Sequence, residues 1–336
     1  MFCDVACAIP TGRYPVKMRV VVIGGTGHIG TYLSPMLVEA GHEVICISRG
    51  TRQPYQPHLA WRTIAIVTMD REAEEGRGEF GRQVAELGAE VVIDLTCYKP
   101  SSAEQLVDAL RGRVGHFLHC GTIWVHGHSV VVPTKETAPR APFGDYGIHK
   151  LAIETYLLNE ARAGFPATVL HPGHLVGPGW APINPAGNFN LEVFANLAAG
   201  REVLLPNLGM ETLHHVHAAD VASAFVRAVE HRDAALGESF HVVSPAAVTL
   251  RGYAERIAAY FGREPNLRFL PWEEWRMHFT EKDARTTWDH IARSPHCCIE
   301  KARTLLGYEP RYGSIEAVEE SVGWLVWNDR LVLSAE

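Results

Sequence analysis

Tyr146 and Lys150 are the side chains in this sequence whose types and spacing are best suited to chemistry. On a helix, residues four apart lie on the same face, one turn above the other. A lysine ammonium beside a phenol favours the phenolate and lowers a pKa that is ordinarily about 10. The pair is therefore predicted to supply a base that takes a proton from an alcohol near neutral pH.

A glycine-rich segment far upstream of this pair has the pattern of a phosphate-binding turn. Gly24, Gly27 and Gly30 follow an apolar, β-branched run at residues 20–23 and precede a helical pattern. Glycines between a strand and a helix allow a tight turn and a close approach of the backbone to a pyrophosphate. The free N–H groups at the start of the helix also favour phosphate. The segment is therefore predicted to bind a dinucleotide.

The end of the second predicted strand distinguishes NADP from NAD. An acidic residue there would bind the adenosine ribose of NAD, but this chain has Ser48 and Arg49, with Arg52 close behind. A guanidinium suits the additional phosphate of NADP, so NADP is favoured, with NAD as the alternative. A solvated surface side chain is the other interpretation of Arg49. Asp70, just after the third predicted strand, is a candidate for contact with adenine.

Strands and helices alternate through the first half of the chain. After the glycine-rich turn and its helix, strands are expected at residues 43–47, 61–68, 91–95, 116–120 and 167–171, and helices at 81–87, 103–111 and 148–163. This order predicts an α/β fold with a Rossmann-type doubly wound parallel sheet. Residues 1–17 are expected to be an N-terminal extension and 18–172 an NAD(P)-binding domain. Residues 173–336 are expected to form a smaller α/β substrate-binding region that does not fold independently.

The composition argues against several classes of protein. The 336 residues carry a net charge of -7, which disfavours nucleic acid and anionic membranes as partners. No apolar run approaches the roughly 20 residues of a membrane span. Seven cysteines without zinc-site spacing favour a reducing cytoplasm, and Cys46, Cys97 and Cys120 are expected to be buried.

The chain resembles the extended short-chain dehydrogenase/reductase family, in its NAD-dependent epimerase/dehydratase branch. The likeness runs from Met18 to about Trp327 and includes both motifs described above. Further matches are residues 119–127, Glu136, Pro139, Pro142, and residues 171–173, 216–222 and 305–310.

The resemblance implies a role for each matching residue. Tyr146 would be the acid/base, and Lys150 would tune it while holding the nicotinamide ribose. Thr122 stands at the position of the catalytic serine or threonine, whose hydroxyl bonds the substrate oxygen. A strand-end cap is the alternative interpretation of Thr122. The predicted cofactor contacts are Gly24, Gly27, His28, Ile29, Gly30, Ser48, Arg49, Arg52, Asp70, Leu95, Lys150 and His171.

Departures from the family pattern concern the substrate. Ile123 and Trp124 replace the Asp-Glu pair of family dehydratases, so dehydration by that route is not expected. His174 and Leu213 replace an asparagine and an arginine that bind sugar nucleotides in related epimerases. Because guanidinium contacts to the diphosphate are lost, a standard sugar nucleotide is not expected. The predicted substrate contacts are Trp124, His126, His174, Trp180 and His215.

The predicted function is that of an NAD(P)-dependent epimerase or oxidoreductase acting at a secondary alcohol or ketone of a sugar or polyol-like substrate. An NADPH-dependent reductase of a small carbonyl compound is one alternative, and a non-enzymatic NADP-sensing or RNA-binding relative is another. The resemblance also implies a homodimer formed through the helices at residues 103–111 and 148–163. No metal site is expected, because His214 and His215 would point to opposite faces of an extended segment.

Overall fold

The computed structural model describes residues 17–333, so most of the predicted extension at residues 1–17 lies outside the described residues. The strands are β1 (Arg19–Ile23), β2 (Glu43–Ser48), β3 (Ala65–Thr68), β4 (Val91–Asp94), β5 (His116–Cys120), β6 (Ala167–Pro172), β7 (His174–Val176), β8 (Val203–Pro206), β9 (Thr212–Leu213), β10 (His215–His217), β11 (Ser239–Val242), β12 (Val248–Thr249) and β13 (Leu267–Leu270). The helices are α1 (Gly30–Glu39), α2 (Arg71–Gly76), α3 (Phe80–Glu86), α4 (Pro100–Leu110), α5 (Asp145–Arg162), α6 (Glu192–Ala198), α7 (Ala218–Glu230), α8 (Arg232–Ala235), α9 (Leu250–Tyr260), α10 (Trp272–Trp275), α11 (Glu281–Ile291), α12 (Glu300–Leu306) and α13 (Ser314–Trp327). Short 3₁₀ helices lie at Leu59–Arg62, Ile123–His126 and Arg276–His278.

Seven parallel strands form the central sheet, in the order β11-β6-β5-β4-β1-β2-β3. The strand order changes direction between β1 and β4, and in such sheets the ligand crevice opens at this point, beyond the carboxyl ends of the strands. The Rossmann-type doubly wound sheet predicted from the sequence is confirmed.

Both faces of this sheet are covered by helices, which explains its continuous apolar strands. Alternate residues of β1 enter opposite layers: Val20 and Val22 pack in the layer that contains Leu33 of α1, whereas Val21 and Ile23 pack in the layer that contains Leu106 of α4. The predicted burial of the three cysteines in apolar runs is also confirmed: Cys46, Cys97 and Cys120.

Residues after 172 build a second apolar core and three two-stranded sheets. They also supply β11 to the central sheet, and α7 packs against α1. The domain boundary at residue 172 stays a prediction. Within residues 17–333, none of the helices combines the length and the apolar composition needed to cross a bilayer.

Three element boundaries differ from the sequence predictions by three residues or more; one is that of α4, which begins at Pro100 rather than at residue 103. The single strand expected at residues 61–68 is wrong, because Leu59–Arg62 turns as a 3₁₀ helix and only Ala65–Thr68 joins the sheet. The side chain of His58 accepts a hydrogen bond from the Ala60 N–H and caps this turn. Helix α5 begins at Asp145 rather than at residue 148, so Tyr146 lies in its first turn.

Candidate active site

The carboxyl ends of five neighbouring strands bring the predicted functional residues to one edge of the sheet. The glycine-rich turn follows β1, Arg49 follows β2, Asp70 follows β3, Leu95 follows β4 and Thr122 follows β5. Parallel strands end at the same edge, so residues distant in sequence converge there.

A cleft of about 580 Å³ opens at this edge, a volume in the range of small-molecule sites. The predicted cofactor residues that line it are Gly24, Gly27, His28, Ile29, Gly30, Ser48, Arg49, Arg52, Asp70 and Leu95. Lining residues that the sequence prediction missed include Arg71, Thr96, Tyr98, Lys99 and Leu175. Four of them follow strands β3 and β4, which is a signal that could have identified them, whereas Leu175 lies within β7.

The glycine-rich turn fits the pyrophosphate of a dinucleotide. Gly24 has a φ of +84°, and a Cβ at Gly30 would lie 2.6 Å from the carbonyl oxygen of Gly24. The turn therefore requires glycine at both positions. The N–H groups of His28 and Ile29 precede the first turn of α1, where no helical carbonyl can accept from them. These amides face the cleft in the position where helix N-termini bind phosphate.

The arginines that follow β2 and β3 differ in whether a carboxylate already pairs with their charge. Arg49 and Arg52 are exposed, and within residues 17–333 neither forms a salt bridge. Arg71, in contrast, is held by the Asp94 carboxylate at 2.8 Å and by Glu75 at 2.6 Å. The guanidinium groups available to a phosphate at the cleft mouth are therefore those of Arg49 and Arg52.

Asp70 has a structural partner that the sequence did not indicate. Its Oδ1 accepts the N–H groups of Glu72 and Ala73 at 3.0 and 3.2 Å, so it is the N-cap of α2. The residue still lines the cleft, and its contact with adenine stays a prediction.

Tyr146 and Thr122 meet beside this cleft. Thr122 is near enough to lower the pKa of the Tyr146 phenol, and the Tyr146 ring lies 6.4 Å from the ring of Tyr98, which lines the cleft. Thr122 is also the N-cap of the 3₁₀ helix, accepting the Trp124 N–H at 3.3 Å. The two interpretations of Thr122 are therefore compatible: the same hydroxyl is the strand-end cap and the group beside the reactive phenol.

Lys150 is buried behind the tyrosine rather than placed against its hydroxyl. Its Nζ donates to the carbonyl oxygens of Cys97 and Cys120, both at 2.7 Å, and lies 5.9 Å from the centre of the Tyr146 ring. Burial lowers the lysine pKa. Burial also raises the pKa of Tyr146 above its ordinary value of 10, with Cys120 and Tyr98 adding to the shift and Thr122 opposing it. The predicted lowering of the tyrosine pKa is therefore wrong for this arrangement: Tyr146 is 42% exposed, but desolvation of its phenol raises the pKa.

His171, predicted to contact the cofactor, lies in the interior instead. It is fully buried, its Nδ1 accepts the Thr122 N–H at 2.9 Å, and its Nε2 faces the Glu154 carboxylate at 3.0 Å. Both ring nitrogens have protein partners, and the contact of His171 with the cofactor stays a prediction.

Aromatic rings and imidazoles form the wall on the other side of Tyr146. The Trp124 ring meets the tyrosine edge to face at 5.6 Å, and its Nε1–H donates to His174 Nε2 at 3.3 Å. His290 packs against both Trp124 and His174, at 5.4 and 5.3 Å between ring centres. Burial lowers the pKa of His290 to about 4, so this imidazole is neutral at pH 7.

Arg293 holds this wall in place and was not identified by sequence reasoning. Its guanidinium carbon lies 3.7 Å from the centre of the Trp124 ring and 3.8 Å from that of Phe143, a double cation–π contact. Its Nη2 donates to the Phe143 carbonyl at 2.6 Å. The side chain is buried, and burial lowers its pKa to about 10.

Three predicted substrate residues lie elsewhere. Trp180 lines the cofactor cleft and stacks on His28 at 4.8 Å. His126 points into the interior, where its Nε2 contacts Nε2 of His241 at 2.8 Å, and its contact with the substrate stays a prediction. His215 is buried behind His174, with 5.9 Å between ring centres.

Asp94, Cys97 and His119 form a compact buried group whose polar atoms lie within 4.8 Å of one another. The Asp94 carboxylate accepts from Arg71 at 2.8 and 2.9 Å and from the Thr96 N–H at 3.0 Å. A guanidinium thus already neutralises the one carboxylate of the group.

The chain is similar to known proteins over most of its length. The sequence model of the NAD dependent epimerase/dehydratase family matches residues 20–242. The chloroplast stem-loop binding protein of 41 kDa b from Arabidopsis thaliana is 25% identical over 91% of this chain and 78% of its own length. The 2'-dehydrokanamycin reductase of Streptomyces kanamyceticus is 28% identical over 82% of this chain and 76% of its own length.

Among solved structures, the fold is similar to that of a dTDP-glucose 4,6-dehydratase from Bacillus anthracis in complex with NAD. The TM-score is 0.71 at 17% identity, with 93% of this chain and 98% of the other covered. At this identity the likeness shows the fold alone. The family match covers the glycine-rich turn, Thr122, Tyr146 and Lys150. The chain therefore belongs to the NAD-dependent epimerase/dehydratase family, whose members are NAD(P)-dependent enzymes of the extended short-chain dehydrogenase/reductase type.

Proposed function

We propose that this enzyme transfers hydride at a secondary alcohol or ketone of a sugar or polyol-like substrate, with Tyr146 as the acid/base. The observation that carries this proposal is the position of Thr122, directly after β5, and of Tyr146, whose ring lies 6.4 Å from that of Tyr98 in the lining of the dinucleotide cleft. A substrate oxygen within reach of both hydroxyls would receive two hydrogen bonds as its charge changes.

A bound nicotinamide supplies the hydride acceptor or donor. The Tyr146 phenol holds the proton that the substrate oxygen gains or loses, and Thr122 orients that oxygen. Because burial raises the pKa of Tyr146, its phenol is protonated at neutral pH, as donation of a proton to a ketone oxygen requires. Proton donation by the phenol also supports the alternative activity, the reduction of a small carbonyl compound.

We propose NADP as the preferred dinucleotide. The exposed guanidinium groups of Arg49 and Arg52 at the end of β2 support this preference, because they can bind an additional phosphate. NAD remains the alternative, and it is the dinucleotide in the dehydratase complex of similar fold.

The aromatic wall beside Tyr146 supports a ring-shaped, polar substrate, because aromatic rings such as that of Trp124 are suited to pack against a sugar-like ring. Neutral imidazoles such as His174 and His290, next to Trp124, are suited to hydrogen-bonding hydroxyl groups. The reductase of Streptomyces kanamyceticus acts, by its name, on an aminoglycoside, which is a related class of compound.

Turnover by a Tyr146→Phe variant tests the proposal. A panel of polyols, sugars and small ketones would be scanned with each cofactor by absorbance of the reduced nicotinamide. We expect kcat to fall about 100-fold to 10,000-fold, because the phenylalanine keeps the ring and removes the transferable proton. Tyr156→Phe, on the same helix, is the matched control.

Equal turnover by wild type and Tyr146→Phe would contradict the catalytic assignment. Absence of turnover by both, together with tight RNA binding in a gel-shift assay, would favour a non-enzymatic relative. That alternative has one supporting observation, the similarity to the chloroplast stem-loop binding protein. The net charge of -7 weighs against it.

A further inference from the structure

His171 lies behind the catalytic threonine, in contact with its peptide group. The Thr122 N–H donates to His171 Nδ1 at 2.9 Å, and the imidazole is fully buried at the end of β6. A backbone N–H is an obligate donor, so Nδ1 must be the acceptor and the ring proton must lie on Nε2. The contact therefore determines the tautomer of His171.

Glu154 provides the partner that this tautomer requires. It lies four residues after Lys150 on α5, is 3% exposed, and its Oε1 is 3.0 Å from His171 Nε2. Arg140 in turn donates to the Glu154 carboxylate at 2.9 and 3.3 Å. Burial raises the pKa of Glu154, but His171 and Arg140 together lower it further, to well below its usual value. The carboxylate is thus a permanent acceptor for the Nε2 proton.

Gly121 makes the contact sterically possible. A Cβ at this position would lie 2.7 Å from His171 Cε1, closer than real side chains approach. The ring can reach the Thr122 peptide only because residue 121 lacks a side chain. Glycine here and histidine at residue 171 therefore act as a matched pair.

We propose that His171, oriented by Glu154 and Arg140, is a positioning residue that fixes the Thr122 peptide and so aims the Thr122 hydroxyl at Tyr146. Thr122 sits where β5 passes into a 3₁₀ helix, and its hydroxyl points between the Trp124 N–H and the tyrosine. A small rotation of this peptide would move the hydroxyl away from the phenol. The inference rests on the proposed function only for its catalytic consequence; the positioning contact itself is independent of it.

Two amide substitutions separate the contacts of the imidazole. In His171→Asn the Oδ1 atom takes the place of Nδ1, so the contact with Thr122 is kept and the contact with Glu154 is lost. In His171→Gln the terminal amide nitrogen takes the place of the imidazole Nε2, so the contact with Glu154 is kept and the contact with Thr122 is lost. We expect kcat to fall about 10-fold to 100-fold in His171→Gln and less than about 3-fold in His171→Asn, with an unchanged Kd for NADP.

A second measurement, which needs no substrate, accompanies the turnover assay. In isotope-labelled protein with NADP, nuclear magnetic resonance should show scalar coupling across the hydrogen bond between the Thr122 amide and His171 Nδ1. The ring-carbon chemical shifts of Tyr146 should change in His171→Gln, because the neighbouring Thr122 is no longer held in place. They should stay at the wild-type values in His171→Asn. His116→Gln, another buried histidine of the same layered sheet, is the control for folding and should behave as wild type in both measurements.

Several outcomes would overturn the inference: no coupling in wild type, wild-type Tyr146 chemical shifts in His171→Gln, or equal losses of kcat in the two amide variants. These outcomes are distinct from failure of the proposed function. If Tyr146→Phe turns over normally, the function fails whatever His171 does. If Tyr146→Phe is inactive while His171→Gln keeps full activity, only the positioning inference fails.

Discussion

At the scale of single residues, the Tyr146/Lys150 pair keeps its predicted place on one helix but not its predicted electrostatics. Lys150 uses two of its three N–H donors on the carbonyl oxygens of Cys97 and Cys120. The ammonium thus ties the ends of β4 and β5 to α5. Its distance from the phenol explains why burial dominates the pKa of Tyr146.

Arg49 carries the first residue-scale prediction, on cofactor choice. Arg49→Ala should raise the Kd for NADP about 10-fold to 100-fold and leave the Kd for NAD nearly unchanged, because a charge-assisted bond to the additional phosphate is lost. Calorimetric titration with NADP and with NAD measures both constants.

Arg62→Ala is the matched control for this measurement. Arg62 is an exposed arginine on the 3₁₀ helix outside the cleft, so its removal tests for a general loss of positive charge. Tight NAD binding by wild type, without preference for NADP, would contradict the assignment of Arg49.

At the scale of elements, the glycine-rich turn depends on how closely α1 approaches it. A Cβ at Gly30 would meet the backbone of Gly24 and Gly25. Gly30→Ala should therefore push α1 away from the turn and weaken NADP binding at least about 10-fold, since phosphate must contact both. Calorimetric titration with NADP measures this loss.

Gly76→Ala is the control for the same substitution in a helix. Gly76 ends α2, and a Cβ there meets nothing within 4 Å. This variant should bind NADP as wild type does and gain about 0.5 to 1 kcal/mol of unfolding free energy. Normal NADP binding by Gly30→Ala would show that the turn tolerates a side chain.

At the scale of the whole molecule, buried histidines couple folding to pH. Burial lowers the pKa of His28, His116 and His214 to about 3 and that of His126, His217 and His290 to about 4, from the usual 6.5. Below about pH 6.5 the unfolded chain therefore binds protons that the folded chain does not. Stability is complete above this pH and is lost as the pH falls toward the folded pKa values.

His116 allows this coupling to be measured away from the cleft. Each such histidine lowers the unfolding free energy by about 1 kcal/mol between roughly pH 7.5 and roughly pH 5.5. In His116→Gln, denaturant titrations at the two pH values should differ by about 1 kcal/mol less than in wild type. The exposed residue His149, replaced by Gln, is the control. An identical pH dependence in wild type and His116→Gln would contradict the argument.

We also propose that the molecule is a homodimer formed through α4 and α5. A shallow, mainly apolar depression on α5 supports this proposal; it is lined by Pro142, Ile148, Leu151, Ala152, Thr155, Tyr156 and Asn159. Ala152→Arg would place a charge in the depression and should raise the dimer dissociation constant at least about 10-fold. Sedimentation velocity measures it, with Ala259→Arg, an exposed alanine on α9, as control. A monomeric wild type at micromolar concentration would refute the dimer.

The sequence by itself determined the sheet, the glycine-rich turn and the Tyr146/Lys150 helix. These features arise from local patterns: apolar strands, glycines where backbone must approach a ligand, and helical spacing. Only the tertiary structure decided what each polar side chain faces. His171 and His126 turn inward, Trp180 joins the cofactor cleft, and Arg293 on a distant segment supports Trp124. The reason is physical: hydrogen-bond partners, burial and hence pKa depend on residues far apart in the chain, which only the packing of the elements brings together.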